Sequence, residues 1–228
     1  MNWSFSSLMD YESCPLRFKF KKIDRAPQLP LLPGNPMERG NRVHNRLELF
    51  VQDKGPIDTE AKRIDDFAEL LEHLRVLHKA KLITTEQDWL YDRDWEECSR
   101  ETVWLWLKLD FCVVDADNKL VVVGDYKTGK SQYKQIEHVQ QLQLYAAVAA
   151  LRFPWAETIH AELWYLDEGS IRAFEFTQEE ALRFIARFDT RAQRIFNDRI
   201  YRPNPNKQTC LYCPFGPKNG TGLCPVGV

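Results

Sequence analysis

The sequence predicts an α/β fold in which a central mixed β-sheet is flanked by helices. Residues Val103–Lys127 form two Val-, Leu- and Trp-rich runs on either side of Asp117-Asn118, which is the pattern of a β-hairpin. Segments with apolar residues at helical spacing precede and follow it. With 228 residues and 44% hydrophobic content, the chain can bury a full core, and we expect a single domain over residues 1–228.

The hairpin has a predictable register. If Asp117-Asn118 is a two-residue turn, Ala116 faces Lys119, and Asp110 lies opposite Asp125. A slip by one residue would bury Asp110, so the apolar face of the first strand fixes the pairing. That face contains Val103, Leu105, Leu107, Leu109, Phe111 and Val113.

A charged patch follows from this register. Lys127 is two residues beyond Asp125 and projects from the same face of the sheet. Two facing carboxylates repel, and a divalent cation between them is the simplest compensation. The alternative is a solvated polar face with an incidental salt bridge. Lys108 would face Lys127, so it either marks a β-bulge or belongs to the site.

The N-terminal half is mostly helical. Two short helices meet at Cys14-Pro15 in a basic segment that is either solvated or phosphate-binding. Pro27–Pro36 reads as a loop. Met37–Lys54 is a predicted helix, and His44 lies beside its apolar face as either a structural histidine or a ligand.

A second helix and a strand lead to the hairpin. Asp58 or Thr59 is the expected cap of a helix whose apolar positions run from Ile64 to Leu77. Thr84–Tyr91 is the predicted strand, and Glu86 is its acidic residue nearest the expected sheet.

After the hairpin we expect a helix from about Lys134 to Phe153. Gln141 and Tyr145 share one of its faces, in either a structural or a functional role. A second hairpin spans Ile159–Asp167 and Ser170–Phe176. The last long helix, capped by Thr177 and Glu180, carries a basic stripe that either contacts a nucleic-acid backbone or is solvated: Arg183, Arg187, Arg191 and Arg194.

The C-terminal segment contains Cys210, Cys213 and Cys224 in a Gly- and Pro-rich stretch with almost no core-forming residues. Three thiolates need a fourth partner to complete a tetrahedral site, and Cys14 is the best candidate. Net charge is −2, so any nucleic-acid binding must come from local patches. The chain has no apolar run of transmembrane length and no signal-peptide pattern, so we expect a cytoplasmic protein with no membrane partner.

Five motifs in this order resemble the RecB-type branch of the PD-(D/E)XK nucleases. The closest resemblance is to its iron–sulfur members, the CRISPR-associated RecB-like exonucleases and the AddB nuclease domain. The motifs are S-F-S-S-L-M-D-Y-E-S-C-P with Cys14, G-N-R-V-H-N-R-L-E with His44, L-D with Asp110, G-D-Y-K with Asp125 and Lys127, and Q-L-Q-L-Y with Gln141 and Tyr145.

The resemblance implies a restriction-endonuclease-like core and a catalytic site of Asp110, Asp125 and Lys127. It implies Mg²⁺ or Mn²⁺ held by His44, both aspartates and the backbone carbonyl of Tyr126. Lys127 would orient or deprotonate water, or stabilise developing charge. Glu86 would be an outer-shell or second-metal carboxylate.

The resemblance also assigns roles to the remaining motifs. Gln141 and Tyr145 would hold the DNA strand beside the metal. A [4Fe-4S] cluster would join residues 1–25 to residues 203–228, with Zn²⁺ as the alternative because cysteine spacing does not distinguish the two. Its ligands would be Cys14, Cys210, Cys213 and Cys224.

The implied function is metal-dependent DNA exonuclease activity on single strands or ends, in repair, recombination or nucleic-acid processing. A protein partner in such a complex is expected. One alternative is a weakly catalytic or non-catalytic subunit that binds DNA ends through the same fold. Another is a zinc-stabilised protein whose acidic patch is ordinary surface.

Overall fold

Five strands form one mixed sheet in the order β1-β2-β3-β4-β5. Strands β1, β2 and β3 are antiparallel neighbours, β3 and β4 are parallel, and β5 is antiparallel to β4. This computed structural model confirms the predicted α/β class. The strands are β1 (Ile83–Tyr91), β2 (Leu105–Asp115), β3 (Leu120–Lys127), β4 (Thr158–Tyr165) and β5 (Ser170–Thr177).

Seven α-helices accompany the sheet in the described residues, 1–30 and 34–228. Residues 31–33 of the predicted loop Pro27–Pro36 lie outside that description. The helices are α1 (Phe5–Ser13), α2 (Pro15–Phe18), α3 (Pro36–Val51), α4 (Ala68–Lys79), α5 (Gln135–Arg152), α6 (Gln178–Asn197) and α7 (Lys207–Leu211). None of these helices combines the length and the apolar composition needed to cross a membrane.

The chain divides into two compact units. The first comprises residues 1–2 and 34–187 and contains the whole sheet with α3, α4 and α5. The second comprises residues 3–33 and 188–228, and so brings both terminal segments together. A single domain over residues 1–228 stays a prediction.

The central hairpin has the predicted register. Phe111 pairs with Gly124 and Asp115 pairs with Leu120, in the same alignment that places Ala116 opposite Lys119. The paired ladder ends at Phe111 and Gly124, immediately before the two aspartates are reached. There the Asp110 carboxylate accepts the backbone N–H of Tyr126 at 2.5 Å, so a side chain replaces a ladder bond.

An aromatic cluster buries the sheet against α3 and α4. Phe111, Tyr126 and Trp164 come from three adjacent strands, with ring centroids 5.2 to 5.8 Å apart. Val43 and Leu47 of α3 pack in the same cluster and are fully buried. Because these residues are apolar and contiguous, they fix the position of α3 and therefore of His44.

Helix starts follow local capping. The side chain of Asn35 accepts the N–H of Met37 before Pro36 begins α3. Thr177 and Glu180 form the predicted capping box of α6, since each side chain accepts the other residue's backbone N–H.

The predicted cap at Asp58 or Thr59 is wrong. The second helix starts instead as a 3₁₀ turn, Ile64–Phe67, and continues as α4. Backbone donors just before it have other partners, because Lys62 N–H binds the Asp167 side chain and Arg63 N–H binds the carbonyl of Leu166. The C-terminal segment, predicted to be irregular, contains α7.

Candidate metal centre

Two aspartates and a histidine meet where the ladder between β2 and β3 ends. Asp110 and Asp125 are both buried, with 8% and 7% of their surface exposed. His44 reaches them from α3, and its Nδ1 lies 2.9 Å from Asp110 Oδ1. Gly40, one turn earlier on α3, packs against Thr128 just after β3. The G-x-x-x-H spacing thus aligns α3 with the end of β3.

Asp125 is held mainly through one of its oxygens. Its Oδ1 accepts hydrogen bonds from Gln141 Nε2 at 3.1 Å and from Tyr145 Oη at 3.0 Å. The amide of Gln141 also donates to Tyr145 Oη at 2.6 Å. The structure therefore brings the Q-x-x-x-Y pair onto an aspartate, where it fixes the carboxylate's orientation.

The other oxygen of Asp125 has unmet hydrogen-bonding capacity. Oδ2 is buried and accepts no hydrogen bond from any described residue. Lys127 Nζ lies 2.5 Å away, so the two groups form an ion pair without hydrogen-bond geometry. The Lys127 ammonium offsets the cost of burying this carboxylate, and a bound divalent cation would add to that compensation.

Glu86 completes a group of possible metal ligands. One ligand atom each of His44, Glu86 and Asp110 lie within 4.8 Å of one another. Glu86 has a φ of 52°, in the left-handed region that a non-glycine residue rarely occupies in a strand. Its neighbours Thr85 and Gln87 remain paired with Phe111 and Leu109. The backbone therefore deviates at one residue, whose carboxylate lies at the site.

Lys108 does not face Lys127. Because the β2–β3 ladder ends before these residues, Lys108 pairs instead with Asp88 of β1, and its ammonium forms an ion pair with Glu86. Lys127 pairs with Tyr165 of β4. The separation of the strands, rather than a bulge in the hairpin, removes the like-charge contact.

Electrostatics couple the acidic groups. Burial and the negative charge of Asp125 raise the pKa of Asp110 to about 6, while His44 and the Tyr126 N–H oppose that rise. Burial alone would lower the pKa of His44, but the hydrogen bond and charge of Asp110 outweigh it, so the pKa is raised. Asp110 and His44 thus compete for a proton near neutral pH.

A second buried pair was not predicted from the sequence. His138, on the same face of α5 as Gln141, lies 2.7 Å from Tyr165 Oη through Nδ1. Burial, followed by the charges of Lys127 and Lys134, lowers the pKa of His138 to about 4. The sequence could have indicated His138 only through its position three residues before Gln141, which places both on one face of the helix.

The donor set suits a hard divalent cation. Carboxylate oxygens and one imidazole are ligands that Mg²⁺ and Mn²⁺ accept, and the Oδ2 atom of Asp125 supplies a buried negative charge. Asp110, Asp125 and His44 would hold such an ion, and Glu86 would contribute a further carboxylate. The backbone carbonyl of Tyr126 as a further ligand stays a prediction.

The four predicted cluster cysteines, all in the second unit, line one small cavity with Arg17 and Phe215. Among the described residues, no three of the sulfurs lie within 4.8 Å of one another, so they form no compact group. Arg17 Nε is buried there and has no hydrogen-bond partner in the described chain. The remaining two cysteines, Cys98 and Cys112, do not line this cavity.

Comparisons with known proteins place this geometry in a family. Eighteen solved chains match, among them the crystal structure of SSO0001, which is 18% identical with a TM-score of 0.45; that match covers 100% of this chain and 87% of that one. No curated protein matches the chain. The sequence profile of the PD-(D/E)XK nuclease superfamily matches residues 2–217. The chain therefore belongs to the PD-(D/E)XK nuclease superfamily.

Proposed function

We propose that this protein is a Mg²⁺- or Mn²⁺-dependent exonuclease that hydrolyses phosphodiester bonds in single-stranded DNA or at DNA ends. The observation that carries the proposal is the pair of buried carboxylates, Asp110 and Asp125, with the Lys127 ammonium beside Asp125. His44, Glu86 and Asp110 add a ligand group of the right chemistry. Membership of a nuclease superfamily gives that acidic site its reaction.

The residues divide the work by chemistry. A bound divalent ion would lower the pKa of water and neutralise charge on the phosphate. Asp110 and Asp125 supply the anionic oxygens that hold it, and His44 supplies the imidazole. Lys127 forms an ion pair with Asp125, and its side chain would orient water and stabilise the negative charge that builds up on the phosphate.

Gln141 and Tyr145 act on the carboxylate in this proposal. Their hydrogen bonds to Asp125 Oδ1 leave Oδ2, which lies beside Lys127, as the oxygen that would bind a metal ion. The Gln141 side chain is only partly buried, so its amide also offers a contact to a bound strand, as the resemblance implies. Tyr145 is buried and acts through Asp125.

The cysteine cavity supports a metal cluster, and the motif resemblance favours [4Fe-4S] over Zn²⁺. Its four cysteines come from both terminal segments, and cysteine thiolates bind either group. Arg17 also lines the cavity; its Nη2 is paired with Asp10 at 3.0 Å, while its buried Nε has no hydrogen-bond partner among the described residues.

The biological setting follows from the substrate. DNA ends arise in repair, recombination and nucleic-acid processing, so we propose that the enzyme acts there on DNA in the cytoplasm, with a protein partner. These assignments rest on the motif resemblance and on family membership.

The direct test is digestion of end-labelled single-stranded, blunt duplex and circular DNA with Mn²⁺ or Mg²⁺. We expect linear strands to be degraded from an end, circles to be left intact, and EDTA to stop the reaction. Asp125→Asn and Lys127→Gln should each lower the rate by roughly 10²- to 10⁴-fold, because the first removes an anionic ligand of the metal ion and the second removes a positive charge beside the reacting phosphate.

Matched variants lie on the same hairpin. Asp115→Asn changes a half-exposed group and Lys119→Gln an exposed group at its turn, at the far end of the hairpin from the site aspartates, and both should leave the rate unchanged. Cleavage of circles would contradict exonuclease action. If no substrate is cut but linear DNA is bound, the protein is a non-catalytic end-binding subunit instead.

A further inference from the structure

The arginine stripe of α6 is not uniformly solvated. Arg183 forms an ion pair with Glu179, and in the second unit Arg191 is paired with Glu12 through two hydrogen bonds of 2.7 Å. Arg187 differs, because its guanidinium donates to the neutral side chain of Gln143 at 3.2 Å. A positive charge is therefore retained beside α5.

Arg187 lies on an open groove of about 400 Å³ within the first unit. The groove is lined from α5, β5 and α6, notably by Ile136, Val139, Gln143, Arg172, Phe174 and Arg187. The described residues that line it include no Asp or Glu. Neither Arg172 nor Arg187 is ion-paired to a described carboxylate. The groove is thus locally cationic in a chain whose net charge is −2.

We propose that this groove binds a single-stranded segment of the DNA substrate, next to the part held at the metal centre. Two arginines offer contacts to phosphates, and the partly exposed Phe174 ring offers a surface on which an unpaired base can stack. A duplex keeps its bases stacked inside and cannot use that ring. The inference rests on the proposed nuclease function and names the form of its substrate.

The helix geometry sets the length of strand required. Val139 and Gln143 are each two residues from Gln141, so they lie about 160° around α5 from the residue that binds Asp125. The groove is therefore roughly one helix diameter, about 10 Å, from the metal centre. A strand must extend around α5 to reach both, and an oligonucleotide of two nucleotides is too short to do so.

The test is fluorescence anisotropy with labelled oligo(dT) of 2 and about 20 nucleotides, in EDTA so that no cleavage occurs. The wild type should bind the longer strand more tightly. Arg172→Gln with Arg187→Gln should weaken that binding at least tenfold and reduce the slope of log K against log salt by about 1.4, or 0.7 for each lost phosphate contact. Phe174→Leu should weaken it roughly tenfold with an unchanged slope, because only stacking is lost.

Arg183→Gln is the matched control, since this arginine is one turn earlier on α6, is ion-paired with Glu179 and does not line the groove. It should bind like the wild type. Unchanged affinity and salt slope in the double variant would overturn the proposal, as would a duplex of equal length that competes as well as the single strand. Cleavage is measured separately with Mn²⁺, so a wild type that cuts nothing overturns the proposed function and is not confused with a failed groove.

Discussion

Asp110 makes two contacts that would normally favour its ionised form, a hydrogen bond from a backbone N–H and a nearby imidazole. Burial and the charge of Asp125 nevertheless raise its pKa to about 6. A carboxyl group with this pKa is half protonated just below neutral pH. A divalent cation needs the ionised group, so protons and metal compete for Asp110.

Mn²⁺ affinity should therefore depend on pH. Above about pH 7 Asp110 is ionised, and between about pH 7.5 and pH 5 the affinity should fall roughly tenfold as one proton must be displaced. His44 adds to this fall because its pKa is also raised and only neutral imidazole binds a metal ion. Isothermal titration calorimetry at both pH values measures the effect.

The control for that measurement is Asp110→Asn, which removes the carboxyl group while keeping its shape. The variant should bind Mn²⁺ weakly at both pH values and lose most of the proton release seen in buffers of different ionisation enthalpy. An affinity of the wild type that does not change with pH would contradict the assignment of Asp110 as a ligand.

The sequence could indicate most of the residues that meet at the centre. Asp110, Asp125 and Lys127 follow from strand alternation, and the placement of His44 beside them follows from the motif resemblance. Glu86 could be assigned only loosely, because its position depends on a φ of 52° that no residue propensity predicts. The contact of Gln141 with Asp125 was also hidden, since helical spacing shows which residues share a face but not what they bind.

At the scale of an element, the hairpin depends on one glycine. A Cβ added to Gly124 would lie 1.9 Å from the ring of its cross-strand partner, Phe111. That ring belongs to the aromatic cluster under α3 and has little room to move. Gly124 and Phe111 each precede or follow a site aspartate, so their close contact sets how the two carboxylates approach.

Gly124→Ala should destabilise the protein by about 2–3 kcal/mol, because the new methyl group overpacks the cluster. Urea unfolding measures the change. Gly129→Ala is the matched control, since a Cβ there meets no atom within 4 Å, and it should change stability by less than about 0.5 kcal/mol. In the double variant Gly124→Ala/Phe111→Leu, the smaller side chain makes room for the new methyl group. Its loss of unfolding free energy should therefore be less than the sum of the losses in the two single variants. Additive costs would show that the ring is not the obstacle.

The elements themselves were largely predictable, and the misses have physical causes. Strong alternation and turn residues gave the two hairpins, and the capping box gave the start of α6. The start of the second helix was misplaced because tertiary hydrogen bonds to Asp167 and Leu166 take up the backbone donors that a cap would have satisfied. The point at which β2 and β3 separate was also not visible, because a side chain replaces the ladder bond there.

At the scale of the whole molecule, both termini contribute to the second unit. Tyr11 donates to Asp198 at 2.8 Å, Glu12 binds Arg191, and the carbonyl of Ser13 accepts the Asn204 amide at 3.1 Å. These bonds tie α1 to the chain as far as residue 204, and a longer contact of 3.4 Å joins Ser13 Oγ to Thr209 Oγ1. Beyond it, the buried residues of 203–228 are few: Cys213, Phe215 and Gly216.

So little burial does not offset the loss of conformational freedom in about 25 residues. A metal cluster would compensate, because its binding free energy becomes folding free energy for the segment that carries the ligands. Cys14 lies on the N-terminal segment and the other three cysteines on the C-terminal one, so the cluster would close the second unit. The contribution would be several kcal/mol, more than the single ring contact of Phe20 with Phe215 at 5.3 Å provides.

Cys14→Ser should therefore remove the cluster and free the C-terminal segment. In protein purified without oxygen, iron should fall from about four atoms per chain to nearly none, with loss of visible absorbance. Limited proteolysis should then cut within residues 203–228 while residues 34–187 stay resistant, because their core does not depend on the cysteines. Cys98→Ser, outside the cavity, should keep both iron and resistance. A colourless wild type with one zinc per chain would show that the bound metal is zinc and not iron. Unchanged protease resistance of residues 203–228 in Cys14→Ser would show that burial alone orders this segment.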